Sequence, residues 1–271
     1  MIKSLCRLLR WRLSLLNGIV ALGGFFLFPA GVAMLQAAAV LLGVTLLAAA
    51  GSAFNQVQER EIDRLMERTR DRPIPCGNLT PVTASAIGGV CLLSGLFALG
   101  LGGGLLPMLV GIVALAWYLW VYTPLKRRTP FALAVGGFCG ALSPVIGWVS
   151  AGGEPTDYRV MLLSGLLYLW QVPHFWLLQH RHAEDYRRAG LPLFNPCLNG
   201  VSTFGLWQIW IIALVASALL LPAFAIINAP VAPWYIAAVL LFGLLVLSRR
   251  ETLLSVGLYC FPLLVTAALF L

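Results

Sequence analysis

Apolar residues run along this chain in long blocks, broken by short polar stretches. Nine blocks stand out, with approximate limits 13–33, 35–55, 82–101, 104–122, 131–151, 160–179, 202–222, 232–248 and 253–271. A helix that crosses the hydrocarbon of a bilayer needs about 20 apolar residues. Backbone groups in lipid must be satisfied internally, and the blocks lack the apolar–polar alternation of a membrane barrel strand. The pattern therefore predicts an all-α polytopic membrane protein, a bundle of nine transmembrane helices. The polar gaps leave no room for a soluble domain, so residues 1–271 read as one intramembrane domain. Glycines inside the blocks (Gly102, Gly103, Gly104, Gly136, Gly137, Gly140) predict close helix packing. Residues 1–30, with Lys3, Arg7, Arg10 and Arg12 ahead of an apolar run, resemble a signal peptide. Eight more spans follow, however, and the first is long enough to cross.

Composition agrees with the pattern. The chain is 60% hydrophobic and 10% charged, which cannot cover a soluble surface and is far too apolar for disorder. The net charge of +8 would suggest nucleic acid in a soluble protein. Here the topology accounts for it, and no nucleic-acid partner is expected. With nine spans, the N-terminus and the loops after spans 2, 4, 6 and 8 share one side. That side holds seventeen of the 18 basic residues, all but Arg159. The positive-inside rule makes it cytoplasmic and puts the C-terminus outside, as expected for a bacterial inner membrane. The six cysteines show no paired spacing, so neither a disulfide framework nor a zinc site is expected.

The acids change the picture. Eight of the ten lie on the basic face, and only Glu154 and Asp157 lie outside. Orientation does not require this, because Asp and Glu contribute little to it. Seven of the eight fall in two loops, after spans 2 and 6. In the first, Asn55, Glu59 and Asp63 are spaced i, i+4, i+8 and form one helical stripe roughly 12 Å long. Oxygen ligands without His or Cys suit a hard cation such as Mg²⁺, which binds through one or two carboxylates plus substrate phosphates. Arg68 and Arg72 follow, with the geometry to hold phosphate oxygens. On spacing alone the same segment also reads as a solvated helix end laced with local ion pairs. Against that, Asn55 and Glu59 follow directly on an apolar run, where polar groups are costly.

Span 6 ends Trp170-Gln-Val-Pro173-His174-Phe and leads to Glu184-Asp185-Tyr186. Pro173 predicts a bend that opens a cavity beside His174, a general base, a metal ligand or a core histidine. His180 and His182 read as solvated. Glu184 and Asp185 offer a second cation cluster facing the first, or simply a solvated loop. Tyr122-Thr-Pro-Leu-Lys126-Arg127-Arg128 reads as a membrane anchor, with Lys126 and Arg127 as phosphate partners because they share the acidic face. Taken together, two carboxylate clusters with Arg and Lys beside them fit a Mg-bound diphosphate. The apolar bundle beneath accepts a lipid tail, which suggests chemistry on a prenyl diphosphate at the membrane–cytoplasm boundary.

Three stretches resemble the intramembrane aromatic prenyltransferases of UbiA type, and within them the haem branch. They are Asn55-x-x-x-Glu59-x-x-x-Asp63 with Met66-x-Arg68-Thr69-x-x-Arg72-Pro73 and Gly77, then Tyr122-Thr-Pro-Leu-Lys-Arg-x-Thr129 with Gly136, Gly140-Ala-x-x-Pro144 and Gly147-Trp148, and finally Trp170-Gln-x-Pro-His174-Phe with Glu184-Asp185-Tyr186 and Gly190. Quinone-type relatives carry a second acidic motif where this chain has His174. Ala132 stands where many haem-branch members have Asn, and Ser143 where a Pro-Pro pair is common. The resemblance implies transfer of the farnesyl group of farnesyl diphosphate to a vinyl group of haem B, with addition of water, to give haem O. It implies Mg²⁺ on Asn55, Glu59, Asp63, Glu184 and Asp185, and diphosphate on Arg68, Arg72, Lys126 and Arg127. For that reaction the residues themselves suggest Trp117, Tyr118 and Tyr122 as candidates to stabilise the cation, and His174 as a haem contact, either iron ligand or a base guiding the water. Asp63, Lys126 and His174 would be the catalytic centre. Membrane lipid and proteins of haem A formation or oxidase assembly would be partners. Prenyl transfer to a quinone precursor such as 4-hydroxybenzoate, a transporter and a structural membrane subunit are the alternatives. The acids at one interface argue against a transporter, and a structural subunit leaves them unexplained.

Overall fold

The computed structural model describes residues 2–29, 33–194, 203–247 and 251–271. Arg249, Arg250 and Cys197, together with parts of the expected spans at 30–32, 202 and 248, lie outside these residues. The described residues are helical and contain no strand. A short helix α1 (Ile2–Leu9) precedes α2 (Trp11–Leu27), α3 (Met34–Gln58), α4 (Arg60–Leu65), α5 (Pro81–Gly103) and α6 (Leu105–Ala116). A π-helical turn (Trp117–Tyr122) and α7 (Thr123–Leu125) extend α6. Then come α8 (Ala132–Ser150), α9 (Tyr158–Arg181), α10 (Ala183–Arg188), α11 (Thr203–Ala223), α12 (Ala232–Leu247) and α13 (Glu251–Phe270).

Each of the nine apolar blocks meets a helix, but they do not stand equally. Seven helices are long and apolar enough to cross a membrane. The other two apolar helices, Trp11–Leu27 and Ala232–Val246, are shorter. At 1.5 Å per residue, 17 residues reach about 25 Å, less than a typical hydrocarbon core. The protein is a multi-pass integral membrane protein with seven clear spans among the described residues.

Two devices hold the bundle together. The first is close approach. A Cβ on Gly24 would strike the carbonyl of Pro144, and one on Gly147 would strike the carbonyl of Ala21. α2 and α8 therefore touch backbone to backbone. The second concerns prolines. Pro144, Pro173, Pro222 and Pro262 lie inside α8, α9, α11 and α13. Each removes an N–H and frees the carbonyl four residues earlier. The Trp210 indole donates to the Leu169 carbonyl freed by Pro173 (2.8 Å). The Trp170 indole donates to the Leu258 carbonyl freed by Pro262 (2.7 Å). The Tyr235 hydroxyl donates to the Ala218 carbonyl freed by Pro222 (3.2 Å). These bonds join α11 to α9, α9 to α13 and α12 to α11, around a core that includes Leu163, Leu166, Leu214, Val239, Leu258 and Phe261.

The loops after α3, α7 and α9 meet at one end of the bundle. Lys126 reaches Glu59, Arg127 donates to the Gln58 carbonyl (2.9 Å), and Asp185 accepts from the backbone of Glu67 and Arg68. The chain's start joins them. Ser52 and Gln56 on α3 both donate to the Leu8 carbonyl (2.9 and 2.7 Å), and Arg7 donates to the Asp71 carbonyl (3.1 Å).

Candidate active site

A cavity of about 290 Å³ opens beneath this gathered end. Asn55, Glu59, Asp63, Arg68, Arg72, Tyr122, Lys126 and His174, all candidates from the sequence, line it. The Asn55–Glu59–Asp63 stripe survives a break in the helix. Glu59 leaves helical geometry between α3 and α4, yet Glu59 N–H still donates to the Asn55 carbonyl (2.9 Å) and Asp63 N–H to the Glu59 carbonyl (2.8 Å). The i, i+4, i+8 register is kept.

The site is not a solvated helix end. Asn55, Glu59 and Asp63 are 4, 6 and 3% exposed. Asn55 Nδ2 donates to Thr123 Oγ1 (3.1 Å), which donates to the Tyr118 carbonyl inside the π turn (2.8 Å). That leaves the Asn55 side-chain oxygen, Oδ1, for the cavity that Asn55 lines. Glu59 pairs with Lys126 Nζ at 2.7 Å, and Arg72 Nη1 lies 2.7 and 2.9 Å from the two oxygens of Asp63. Burial pushes the Asp63 carboxyl above the usual carboxylate range, against the pull of Arg72 and Thr69. A charge held this way has much to gain from a cationic partner. The expected local pairs do not engage these two acids. Glu61, exposed, takes Arg60 and Arg64 instead.

Three expected residues stay off the cavity wall. Glu184 is exposed and pairs with Arg187 at 3.3 Å. Arg127 is exposed and holds the end of α3. Asp185 is buried, but both its oxygens are used, accepting from Glu67 N–H (2.9 Å) and Arg68 N–H (3.1 Å). Burial alone would raise the Asp185 carboxyl. The two N–H groups, with the nearby charges of His182 and Arg188, together hold it below the usual range. Asp185 thus pins the arginine-bearing loop to α10. Among the described residues no cluster of three or more His, Cys, Asp or Glu forms a metal-binding group. The oxygen set at the cavity is two carboxylates and one amide.

The aromatic wall is also revised. Tyr118 and Tyr122 stack at 5.7 Å, and Tyr122 stacks on Phe175 at 6.5 Å. Lys126 Nζ lies 5.1 Å over the Tyr122 ring. Gly136 makes room for that ring, since a Cβ there would meet Tyr122 Cε2 at 2.5 Å. Trp117 does not line the cavity. Its indole donates to the Val135 carbonyl (2.9 Å) and its ring packs on Phe138. His174 is half-buried between Trp170 (5.0 Å, stacked) and Tyr259 (4.9 Å, edge-on). His180 is exposed as expected, whereas His182 is half-buried.

The structure adds Arg10, Asn17, Gln171 and Tyr186 to the wall. Arg10 sits in the left-handed backbone region (φ 45°) where α1 turns into α2. In the sequence it is one member of a basic group that orientation already explains.

Residues 17–269 match the UbiA prenyltransferase family. The chain belongs to that family. A protoheme IX farnesyltransferase of Geobacter sulfurreducens is 55% identical over 265 residues, 97% of each chain. One from Nitratidesulfovibrio vulgaris is 40% identical over 227 residues, covering 84% of this chain and 79% of that one. Solved structures of the UbiA family share the fold. The apo structure of a homologue from Aeropyrum pernix has a TM-score of 0.78 at 20% identity, covering 96% of this chain and 98% of that one. A homologue from Archaeoglobus fulgidus bound to GPP and Mg²⁺ has a TM-score of 0.70 at 17% identity, covering 99% of this chain and 100% of that one.

Proposed function

We propose that the protein transfers the farnesyl group of farnesyl diphosphate to a vinyl group of haem B, with addition of water, giving haem O and diphosphate. The observation that carries this is that one cavity is lined both by two buried, ion-paired carboxylates and by His174, which packs between Trp170 and Tyr259. The names of the similar bacterial farnesyltransferases support the same choice of substrates. The basic face is cytoplasmic, in a bacterial inner membrane, by the positive-inside rule. Proteins that use haem O, in haem A formation or oxidase assembly, are its expected partners.

The donor set fits Mg²⁺. Asn55, Glu59 and Asp63 offer two carboxylates and an amide from one stripe, leaving further positions to phosphate and water. Mg²⁺ supplies neutralisation of the diphosphate charge when bound. With the carboxylates so partnered, Lys126 and Arg72 are free to turn to the diphosphate oxygens, joined by Arg68. These cations stabilise charge as it grows on the leaving group. The stacked rings of Tyr122 and Tyr118 face the farnesyl carbon as it becomes cationic. His174 contacts the haem, either at the iron or as the base for the incoming water.

The test uses membranes containing the protein, incubated with farnesyl diphosphate, Mg²⁺ and either haem B or 4-hydroxybenzoate. Farnesylated haem from the first and no product from the second is the expected result. The reverse would move the protein to the quinone branch. Full haem binding and turnover in His174→Ala would remove the role given to that residue.

A further inference from the structure

Haem O as proposed above carries a hydroxyl derived from water. A cation formed in an apolar cavity must therefore meet a water that is already held. Polar groups on α8 and α9 that line the cavity suit that task. Gln171 lines the cavity and is 7% exposed, and among the described residues no hydrogen bond engages its amide. The residue is buried, but its amide atoms reach the cavity space, so a water held there can fill their valence. Its amide lies against Gly140, where a Cβ would collide with Nε2. Gly140 can line the cavity only with its backbone, and Pro144 leaves the Gly140 carbonyl without its helical N–H. The other three intrahelical prolines free carbonyls that Trp210, Trp170 and Tyr235 take up. Among the described residues no side-chain donor takes that of Gly140. One turn along α8, Ser143 (5% exposed) also lines the cavity and donates to Asn17 Oδ1 at 3.3 Å. A bound water needs two to four polar partners. The Gln171 amide, against Gly140, and Ser143, one turn along α8, both line the cavity, as does Gly140 itself, whose carbonyl Pro144 frees.

The geometry points to Gln171, with the Gly140 carbonyl and Ser143, as the subsite that binds and aims the water added to the acceptor. This inference rests on the haem O reading. The vinyl π pair forms the new bond to the farnesyl carbon as the carbon–oxygen bond to diphosphate breaks, its electron pair leaving with the diphosphate. A water lone pair then forms the carbon–oxygen bond at the resulting cation. One water proton passes to a ring nitrogen of His174, which lies one turn from Gln171 on the same wall. Gln171 is a positioning residue for that water. Without a held water the cation loses a proton from the adjacent carbon instead, and the product is an alkene lighter by one water.

The experiment measures how the product partitions. Membranes with wild-type protein or Gln171→Met are supplied with farnesyl diphosphate, haem B and isotopically labelled water, and the farnesylated haems are separated by mass. Wild type gives labelled haem O. Gln171→Met shifts the alkene-to-alcohol ratio by about tenfold, as expected when one of two competing barriers loses a hydrogen bond. A merely structural role would slow both products alike and leave the ratio unchanged, which overturns the inference. Should Gln171→Met fail to fold, Ser143→Ala carries the same prediction at smaller magnitude, and an unchanged ratio there overturns it equally. Absence of any farnesylated haem from wild type would instead sink the parent reading and the water subsite with it.

Discussion

Lys126→Met removes one charge and exposes two separate jobs. Lys126 Nζ sits 2.7 Å from a Glu59 carboxylate whose side chain is 8% exposed, while the lysine's own is 19% exposed. The gross attraction at that distance is about 6 kcal/mol at an effective dielectric of 20. Desolvation offsets most of it, but the variant strands a buried carboxylate, which costs about 3 kcal/mol or somewhat less beside a wet cavity. Thermal unfolding in detergent without divalent cation should therefore drop clearly below wild type. Adding Mg²⁺ and inorganic diphosphate should recover much of the loss, because Glu59 regains a cationic partner. Catalysis should not recover. Removing one positive group from a developing leaving-group charge costs on the order of 10²–10³ in rate. Farnesyl transfer at saturating Mg²⁺ within threefold of wild type would refute the leaving-group role. A stability loss unchanged by Mg²⁺ would refute the claim that metal and lysine share Glu59.

Other outcomes follow from the same geometry. Asp63→Asn should weaken Mg²⁺ binding and slow transfer by about 10² or more, whereas Glu184→Gln, on an exposed and locally paired acid, should leave Mg²⁺ titrations unchanged. Gly147→Ala places a methyl against the Ala21 carbonyl and should lower stability by about 1–3 kcal/mol, read as a fall in unfolding temperature. An unaltered transition would mean α2 and α8 are not packed backbone to backbone. Trp210→Phe should cost about 1 kcal/mol by orphaning the Leu169 carbonyl. That cost should shrink when Pro173→Ala restores the helical N–H, and additive losses would contradict the pairing.

Sequence and structure agree best where the chemistry is dense. The Asn55–Glu59–Asp63 stripe was legible because an i, i+4, i+8 spacing survives a break at Glu59 so long as the backbone hydrogen bonds continue across it. Arg68, Arg72 and Lys126 stood out only because they share a face with the acids, which orientation does not require, and His174 because it is a polar group beside a proline inside an apolar run. What sequence could not give was partner choice. Asp185 sits in a run that reads as a metal cluster, yet its oxygens go to the Glu67 and Arg68 backbone, a contact across more than a hundred residues. Trp117 and Tyr118 are neighbours in one aromatic run, and only packing against α8, where the Trp117 indole takes the Val135 carbonyl, shows which of them lines the cavity. Arg10 hid among residues that orientation already explained. Gln171 has no periodic signal at all. Its meaning depends on Gly140 having no side chain and Pro144 having no N–H, facts written on another helix. The count of nine spans rests on two helices of marginal length, α2 and α12, for which apolar composition alone is an insufficient guide.

The account stands most directly on what the protein makes. Haem is extracted from bacterial cells lacking any other haem-farnesylating activity, with and without expression of this chain, and analysed by mass spectrometry. The account predicts that haem O appears on expression and disappears again in Asp63→Asn present at equal abundance. Haem B alone in both extracts, with farnesyl diphosphate available and the protein folded in the membrane, would contradict it.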